Sequence, residues 1–497
     1  MKRSLCWFIG LCGLALPAVA APPPAAPPAR PNLLFICLDD QRWDAMQFYQ
    51  KMQGKQARFR WLKTPNIDRL RAQGVWFRNT FATDSLCSPS RASFLTGQYP
   101  HTHGVTSNQQ ELSLNATTYA TLLHDAGYYT GFVGKWHIGM QKERPGFDYS
   151  ASFLGQGTYY HCPFIINGQE TVVSDQWVDD TSTDYAVDFL REHRDQTFML
   201  AVAFKSVHAP CQPDAREQSL WANKKARPVP NLDVPASFQA PFEPHPFPAG
   251  QPKIRTYFEC LAGADRDLGR LLDTLDELGL TANTVVIFTS DNGFSLGEHE
   301  MRGKRDAYEE SMRIPFLVRA PFVAGSAGRT VDRIALNVDV APTLLDYAGV
   351  PVPAAMQGHS LRPLVEGQAV ASWPGAFLYE SFFNRTALYP TMVAVRTDDA
   401  KLIHYPGHDD WTEVFRLGND PYETTNLAGQ AAARDLQGSL EATLAQLQAQ
   451  LAYLVPGDSD QDTYVADAEA DVLWRRRFPD ERPMSSHTHT GVKGDGD

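Results

Sequence analysis

The chain has 497 residues, 43% of them hydrophobic and 21% charged, with a formal net charge of −12. These are the proportions of a soluble globular protein, and the length holds one large domain or two with ample core. The negative balance argues against nucleic acid or an anionic membrane as the main partner, and an anionic small substrate would have to be held by local cations.

In chain order, Lys2 and Arg3 form a basic start, Leu5 to Leu16 an apolar run, and Ala18-Val19-Ala20 a small-residue cleavage site. That pattern predicts a signal peptide over 1–20, because the run is shorter than the roughly 20 residues a membrane span needs. The mature protein is therefore expected in the periplasm or outside the cell, with no membrane span, after a Pro/Ala-rich spacer over 21–29. Export removes Cys6 and Cys12 from the seven cysteines. Cys37 sits in the apolar run "NLLFICL" and reads as core. A pair among Cys162, Cys211 and Cys260 can form a disulfide, with the pairing open. Cys87, in the polar turn "DSLCSPSRASFLTG", has no such explanation.

Four apolar runs close on polar residues. "NLLFICLDD" ends in Asp39 and Asp40, "YYTGFVGKWHIG" in Lys135 and His137, "FMLAVAFKSVHAP" in Lys205 and His208, and "TVVIFTSDNG" in Asp291 and Asn292. Short apolar runs flanked by helical patterns predict parallel strands buried on both faces. Helices are expected over Thr118–Ala126, Tyr257–Leu278 and Val340–Tyr347. In an open α/β sheet the carboxyl ends of the strands are where ligands bind, so neighbouring strands would bring these polar ends into one cleft. Asp39, Asp40, Asp291 and Asn292 offer only oxygen ligands, the preference of a hard cation such as Ca²⁺ or Mg²⁺.

Around Cys87, Ser88 can serve as N-cap and Pro89 fits the first helical position, with Gly97 as the C-terminal stop. Cys87 then lies at a helix N-terminus, where free N–H groups favour negative charge, and Arg91 adds a fixed cation. The stretch "CSPSRASFLTG" resembles the sulfatase signature, in which Cys-x-Pro-x-Arg leads into Leu-Thr-Gly. Cys87, Pro89, Arg91, Leu95, Thr96 and Gly97 all fall in place. "RPNLLFICLDD" and "TPNIDRL" before it, and "GYYTGFVGKWHIG", "SDNGFSLGEH", "GKRDAYEESMRIP", "GHSLRPL" and "NDPYETTNLAG" after it, also look like sulfatase segments in family order, so the likeness runs roughly from Arg30 to Leu454.

The resemblance implies a formylglycine-dependent type I sulfatase of the alkaline phosphatase superfamily. Its fold would be α/β, with a large, mixed, mostly parallel sheet flanked by helices and a smaller C-terminal antiparallel sheet. Cys87 would be oxidised to formylglycine by a maturation enzyme. The hydrated aldehyde has one hydroxyl to attack the sulfur of a sulfate ester and a second whose deprotonation expels sulfate, an exit that serine lacks. A thiol itself would be a poor ligand for a hard cation. Asp39, Asp40, Asp291 and Asn292, with the modified Cys87, would hold one Ca²⁺. Arg91, Lys135 and Lys304 match the family's cations and would offset the carboxylates so that a sulfate can enter. His137 matches the base that drives elimination and His208 a general acid near the leaving oxygen, both suited by an ordinary pKa near 6.5. "KSVHAP" offers one histidine where some relatives carry two. His299, after "LGE", is placed between substrate contact and a supporting role, and His101 and His103 are read as structural.

The catalytic domain is expected over 30–373, a C-terminal subdomain over 374–454 and a polar tail over 455–497, in which "DVLWRRRFP" could dock. "RPGFDYSASFLGQGTYYHCPFIINGQ" resembles inserts of bacterial carbohydrate sulfatases, including N-acetylglucosamine-6-sulfatases, and Tyr159, Tyr160 and His161 there could meet a sugar. The expected substrate is a sulfate ester, small or carried on a glycan. Two alternatives stay open: a phosphonate monoester or phosphodiester hydrolase of the same superfamily, and a catalytically silent binder of sulfated glycans with an intact thiol.

Overall fold

The computed structural model describes residues 30–239, 251–382 and 389–453. The expected signal peptide, spacer and polar tail lie outside the described residues. Among the described residues, no helix is long and apolar enough to cross a membrane.

The four apolar runs form adjacent strands. Thr284–Ser290, Asn32–Leu38, Phe198–Ala203 and Tyr129–Lys135 lie side by side in that order, all parallel. They are the centre of a 10-stranded sheet. Tyr149–Phe153 continues it in parallel, and Pro163–Ile166 and Glu170–Val173 close that side antiparallel. On the other side Phe316–Arg319 runs antiparallel to both its neighbours, followed by Val75–Phe81 and then Thr330–Leu336.

Period-two alternation explains why the runs are apolar throughout. Along Asn32–Leu38, Leu34, Ile36 and Leu38 enter one core, shared with the helices Pro65–Gln73, Val178–Glu192 and Gln251–Glu277. Leu33, Phe35 and Cys37 enter the opposite core, shared with Cys87–Thr96, Tyr119–Asp125 and Val340–Ala348. Helices on both faces leave a central strand no polar side. The three helices expected from the sequence fall within a few residues of those observed.

Gly134 lets the two central strands approach. It sits at φ +93°, and a Cβ there would lie 2.1 Å from the Ala203 carbonyl oxygen.

The smaller sheet is antiparallel throughout, in the order Ala376–Ser381, Met392–Thr397, Ala400–His404 and Glu413–Arg416. The helix Arg434–Gln450 lays Leu440 and Leu444 on it. A buried ion cluster ties this sheet to the large one. Glu309 meets Lys401 at 3.2 Å, Arg396 at 3.3 Å and Arg313 at 3.6 Å. Lys401 also meets Glu423 at 2.7 Å. Burial would raise the Glu309 pKa, but Arg396, Lys401 and Arg313 outweigh it and hold the carboxyl well below its ordinary range.

Two sequence expectations are corrected. Cys162, Cys211 and Cys260 are all free thiols, so no disulfide links them. Cys162 packs within the apolar core, and the Cys211 S–H donates to the Val207 carbonyl at 3.1 Å. Ser88 is not the N-cap and Pro89 is not the first helical residue: the helix begins at Cys87 and its N-cap is Leu86, which makes no side-chain cap. The Ser88 hydroxyl donates instead to the His137 carbonyl at 2.8 Å. Gly97 ends the helix in the left-handed region, as expected.

Gly134→Ala is expected to cost about 2–4 kcal/mol, from backbone strain plus overpacking, and to lower turnover by displacing Lys135; thermal unfolding and a rate assay check both. Glu309→Gln is expected to cost about 3 kcal/mol at neutral pH by leaving buried cations unpaired. The native carboxyl titrates below its unfolded value, so its contribution is complete above about pH 4.5 and fades as pH falls. The difference between the two proteins in urea unfolding should therefore shrink steadily as pH falls below about 4.5.

Candidate active site

The strand register gathers the polar residues. Leu38 is level with Ser290, so Asp39 and Asp40 leave the sheet beside Asp291 and Asn292. Lys135 ends its own strand at the same edge, with His137 two residues on, and His208 follows the neighbouring strand. The helix Cys87–Thr96 points its first residue at this edge, and Lys304 arrives from the short hairpin ending at Gly303.

Cys87 Sγ lies 3.4 Å from Asp39 Oδ1, 2.9 Å from Lys304 Nζ and 4.0 Å from Lys135 Nζ. Lys304 Nζ also donates to Asp40 Oδ1 at 2.6 Å, and Lys135 Nζ pairs with Asp39. Arg91 reaches Asp291 Oδ2 at 2.8 Å and Asp39 Oδ2 at 3.5 Å, and donates to the Lys135 carbonyl at 2.6 Å. Asn292 Nδ2 donates to Asp40 Oδ1 at 2.6 Å. His208 Nε2 stands 4.0 Å from Asp40 Oδ2, and its Nδ1 faces the Ala209 carbonyl at 2.5 Å. His137 is joined through its carbonyl to Ser88 and through the charges of Lys135, Asp39, Arg91 and Lys304. All ten residues singled out in the sequence share this site, and none is more than 5% exposed.

Three buried carboxylates therefore face three fixed cations. Asp39, against burial, is held well below the carboxylate range by Lys135, Arg91 and Lys304. Asp40 is pushed up to about 6, by burial first, with Asp39 and Asp291 adding to it against Lys304. Asp291 is raised by burial and by Asp39. Burial and Asp39 push the Cys87 thiol up to about 12, so it stays protonated and is no thiolate nucleophile. Burial and Lys135 lower both His137 and His208, which rest as neutral imidazoles. Asp40 and His137 are also at positive φ, 62° and 42°, strain that the surrounding contacts must support.

The residues fit a cation. Asp39, Asp40 and Asp291 each place an oxygen within 4.8 Å of the others. Asp40 Oδ2 and Asn292 Oδ1 are buried with no hydrogen-bond partner among the described residues. An all-oxygen set with orphaned acceptors suits a hard divalent ion.

Other candidates lie elsewhere. His299 is stacked on Tyr308 at 3.7 Å and bonded to Asn231 and Val234, and its ring lies beside Glu310 and Glu423 rather than in the Asp39, Asp40 and Asp291 cluster. His101 is held by Glu380 and the Leu451 carbonyl, and His103 by Ser93. Tyr159 is buried, stacked against Trp177, with its hydroxyl on the His208 carbonyl at 2.8 Å. His161 is exposed beside Asp175. Lys205 and Gln156 were not among the site residues expected from sequence. Lys205 stood in a quoted strand ending, whereas nothing in the sequence marks Gln156.

Comparison with known proteins identifies the family. A family model described as Sulfatase matches residues 31–350, and one described as N-sulphoglucosamine sulphohydrolase, C-terminal, matches residues 297–450. An N-acetylglucosamine-6-O-sulfatase of Bacteroides thetaiotaomicron is 31% identical over 89% of this chain and 90% of its own length. An ulvan-active sulfatase of Formosa agariphila is 28% identical over 85% of this chain and 82% of its own. A solved structure in complex with its substrate D-glucosamine-2-N,6-O-disulfate superposes with a TM-score of 0.78 at 29% identity, covering 87% of this chain and all of that one. The chain belongs to the sulfatase family, with the alkaline phosphatase-like fold, and is a sulfuric ester hydrolase.

Proposed function

We propose that this enzyme removes sulfate from a glycan sulfate ester, using formylglycine made from Cys87 and Ca²⁺ held by Asp39, Asp40, Asp291, Asn292 and position 87. The observation that carries this reading is the placement of Cys87 at a helix N-terminus, 3.4 Å from Asp39 Oδ1, at the sheet edge where Asp40 and Asn292 each keep an orphaned oxygen. When present, the hydrated aldehyde supplies the hydroxyl that attacks sulfur and the one that releases sulfate, and the ion supplies charge that favours an ionised hydroxyl.

The chain's own residues do the rest. Arg91, Lys135 and Lys304 each touch an assigned carboxylate, and with the ion they leave the cleft positive enough for a sulfate group. Burial first, and then these cations, keep His137 neutral, the form that can take a proton from the group at position 87. The Ala209 carbonyl accepts from His208 Nδ1–H, so Nε2 of the neutral ring carries a lone pair, and it can protonate the leaving alcohol oxygen only in the imidazolium form, which a bound sulfate's negative charge favours. Tyr159 holds the His208 carbonyl and keeps that ring in place.

The named substrates of the relatives support a 6-O-sulfated glucosamine unit as the substrate here. Export and a formylglycine-generating enzyme complete the reading. Mass spectrometry of the Cys87 peptide from exported protein is expected to show the aldehyde, and Cys87→Ala to abolish turnover; an unmodified thiol in fully active enzyme sinks the proposal. Chelation should remove activity, with recovery on adding Ca²⁺. His208→Ala should lose about 10²–10⁴-fold on a sulfated sugar but much less on an aryl sulfate, whose leaving group needs no proton. Phosphonate monoesters should turn over more slowly than sulfate esters; the reverse order favours the phosphonate hydrolase reading.

A further inference from the structure

Gln156 holds a buried amide donor beside the cleft that the reaction so far leaves unused. It follows the strand Tyr149–Phe153, in which Phe153 is level with Lys135, so the loop emerges at the same sheet edge as the assigned site. Gly155 and Gly157 flank it at φ +54° and +61°, and a Cβ on Gly157 would lie 2.5 Å from the Phe153 ring. The turn thus presents the intervening side chain toward Lys135, whose Nζ donates to Gln156 Oε1. An ammonium only donates, so the carbonyl end of the amide faces Lys135 and the NH₂ end faces away from it. That Nε2 is buried and has no partner among the described residues.

Lys205 fixes the turn from below. Its Nζ donates to the Gln156 carbonyl at 2.9 Å and stands 5.0 Å from the Tyr159 ring centroid, and its backbone N–H donates to Asp179 at 2.8 Å. The lysine is buried and bound to the backbone of the turn.

We propose that Gln156 Nε2 donates a hydrogen bond to a non-bridging oxygen of the bound sulfate group, and that Lys205 is the positioning residue that aims it. The proposal rests on the reading of Lys135 as part of the sulfate cleft. Arg91, Lys135 and Lys304 are each committed to a carboxylate, so the anion's oxygens need further donors. A carboxamide adds one without adding charge. Because the NH₂ group cannot ligate a cation, it belongs to the substrate's side of the cleft.

Inorganic sulfate is the probe, measured by calorimetry on the whole protein, alongside kcat and KM for an aryl sulfate and the melting temperature. Gln156→Met, close in shape, should weaken sulfate binding about tenfold to a hundredfold and raise KM in step, with kcat changed less than about threefold. Gln156→Glu should weaken it further. Lys205→Met should raise KM by a smaller factor, and Lys205→Arg should restore it. Should Gln156→Met unfold, Gln156→Asn, which withdraws the amide by one methylene, carries the same expectation. A wild-type protein that binds sulfate while folded Gln156 variants bind it within twofold overturns the role of Gln156 alone. A wild-type protein that neither binds sulfate nor turns over the aryl ester overturns the cleft reading and this proposal with it.

Discussion

Everything at the active edge follows from burying three carboxylates side by side. Asp39, Asp40 and Asp291 are out of contact with solvent, and like charges at that separation repel in a medium that screens them poorly. Such a group persists only where positive charge is built around it. Arg91 from the helix Cys87–Thr96, Lys135 from a strand end and Lys304 from the hairpin provide it from separate parts of the chain. The balance is uneven: Asp39 is strongly stabilised as a carboxylate, while Asp40 is pushed up to about 6. Asp40, raised chiefly by burial, also carries an orphaned oxygen, the donor chemistry that suits a hard cation.

The sheet makes this crowding possible. Parallel strands present all their carboxyl ends on one side, and two helical layers fix each strand from both faces. Asp40 and His137 can then hold positive φ angles without the backbone relaxing. The small antiparallel sheet is tied on by Glu309, Lys401 and Arg396, a second buried ion cluster that is mostly matched within itself. The two clusters differ in their setting: one joins the two sheets, the other gathers at the strand ends with orphaned oxygens.

Much of this was legible in the sequence for a simple reason. Strands buried on both faces are written as unbroken apolar runs, and the polar residues that end them mark the sheet edge. The cysteine signature supplied the rest. What could not be read depends on three-dimensional register. Ser88 looked like an N-cap because its type and its Pro89 neighbour suited one; only the fold reveals that the His137 carbonyl takes its hydroxyl. Gln156 gave no signal, since its approach to Lys135 follows from pairing Phe153 with Lys135 across strands. Tyr159 looked like a sugar platform because an aromatic in a polar insert has that appearance, yet the ring is in the core. The cysteines downstream of Cys87 could be counted but not paired, and none is in fact bonded.

The burial of Cys87 has a consequence in time. The side chain is wholly enclosed, at the first position of a helix packed against the sheet edge. No macromolecular agent can grip it once that helix has docked. Any enzyme acting on this side chain would have to meet the segment while it is still extended, before the helix docks, and its rate would then compete with folding of the nascent chain.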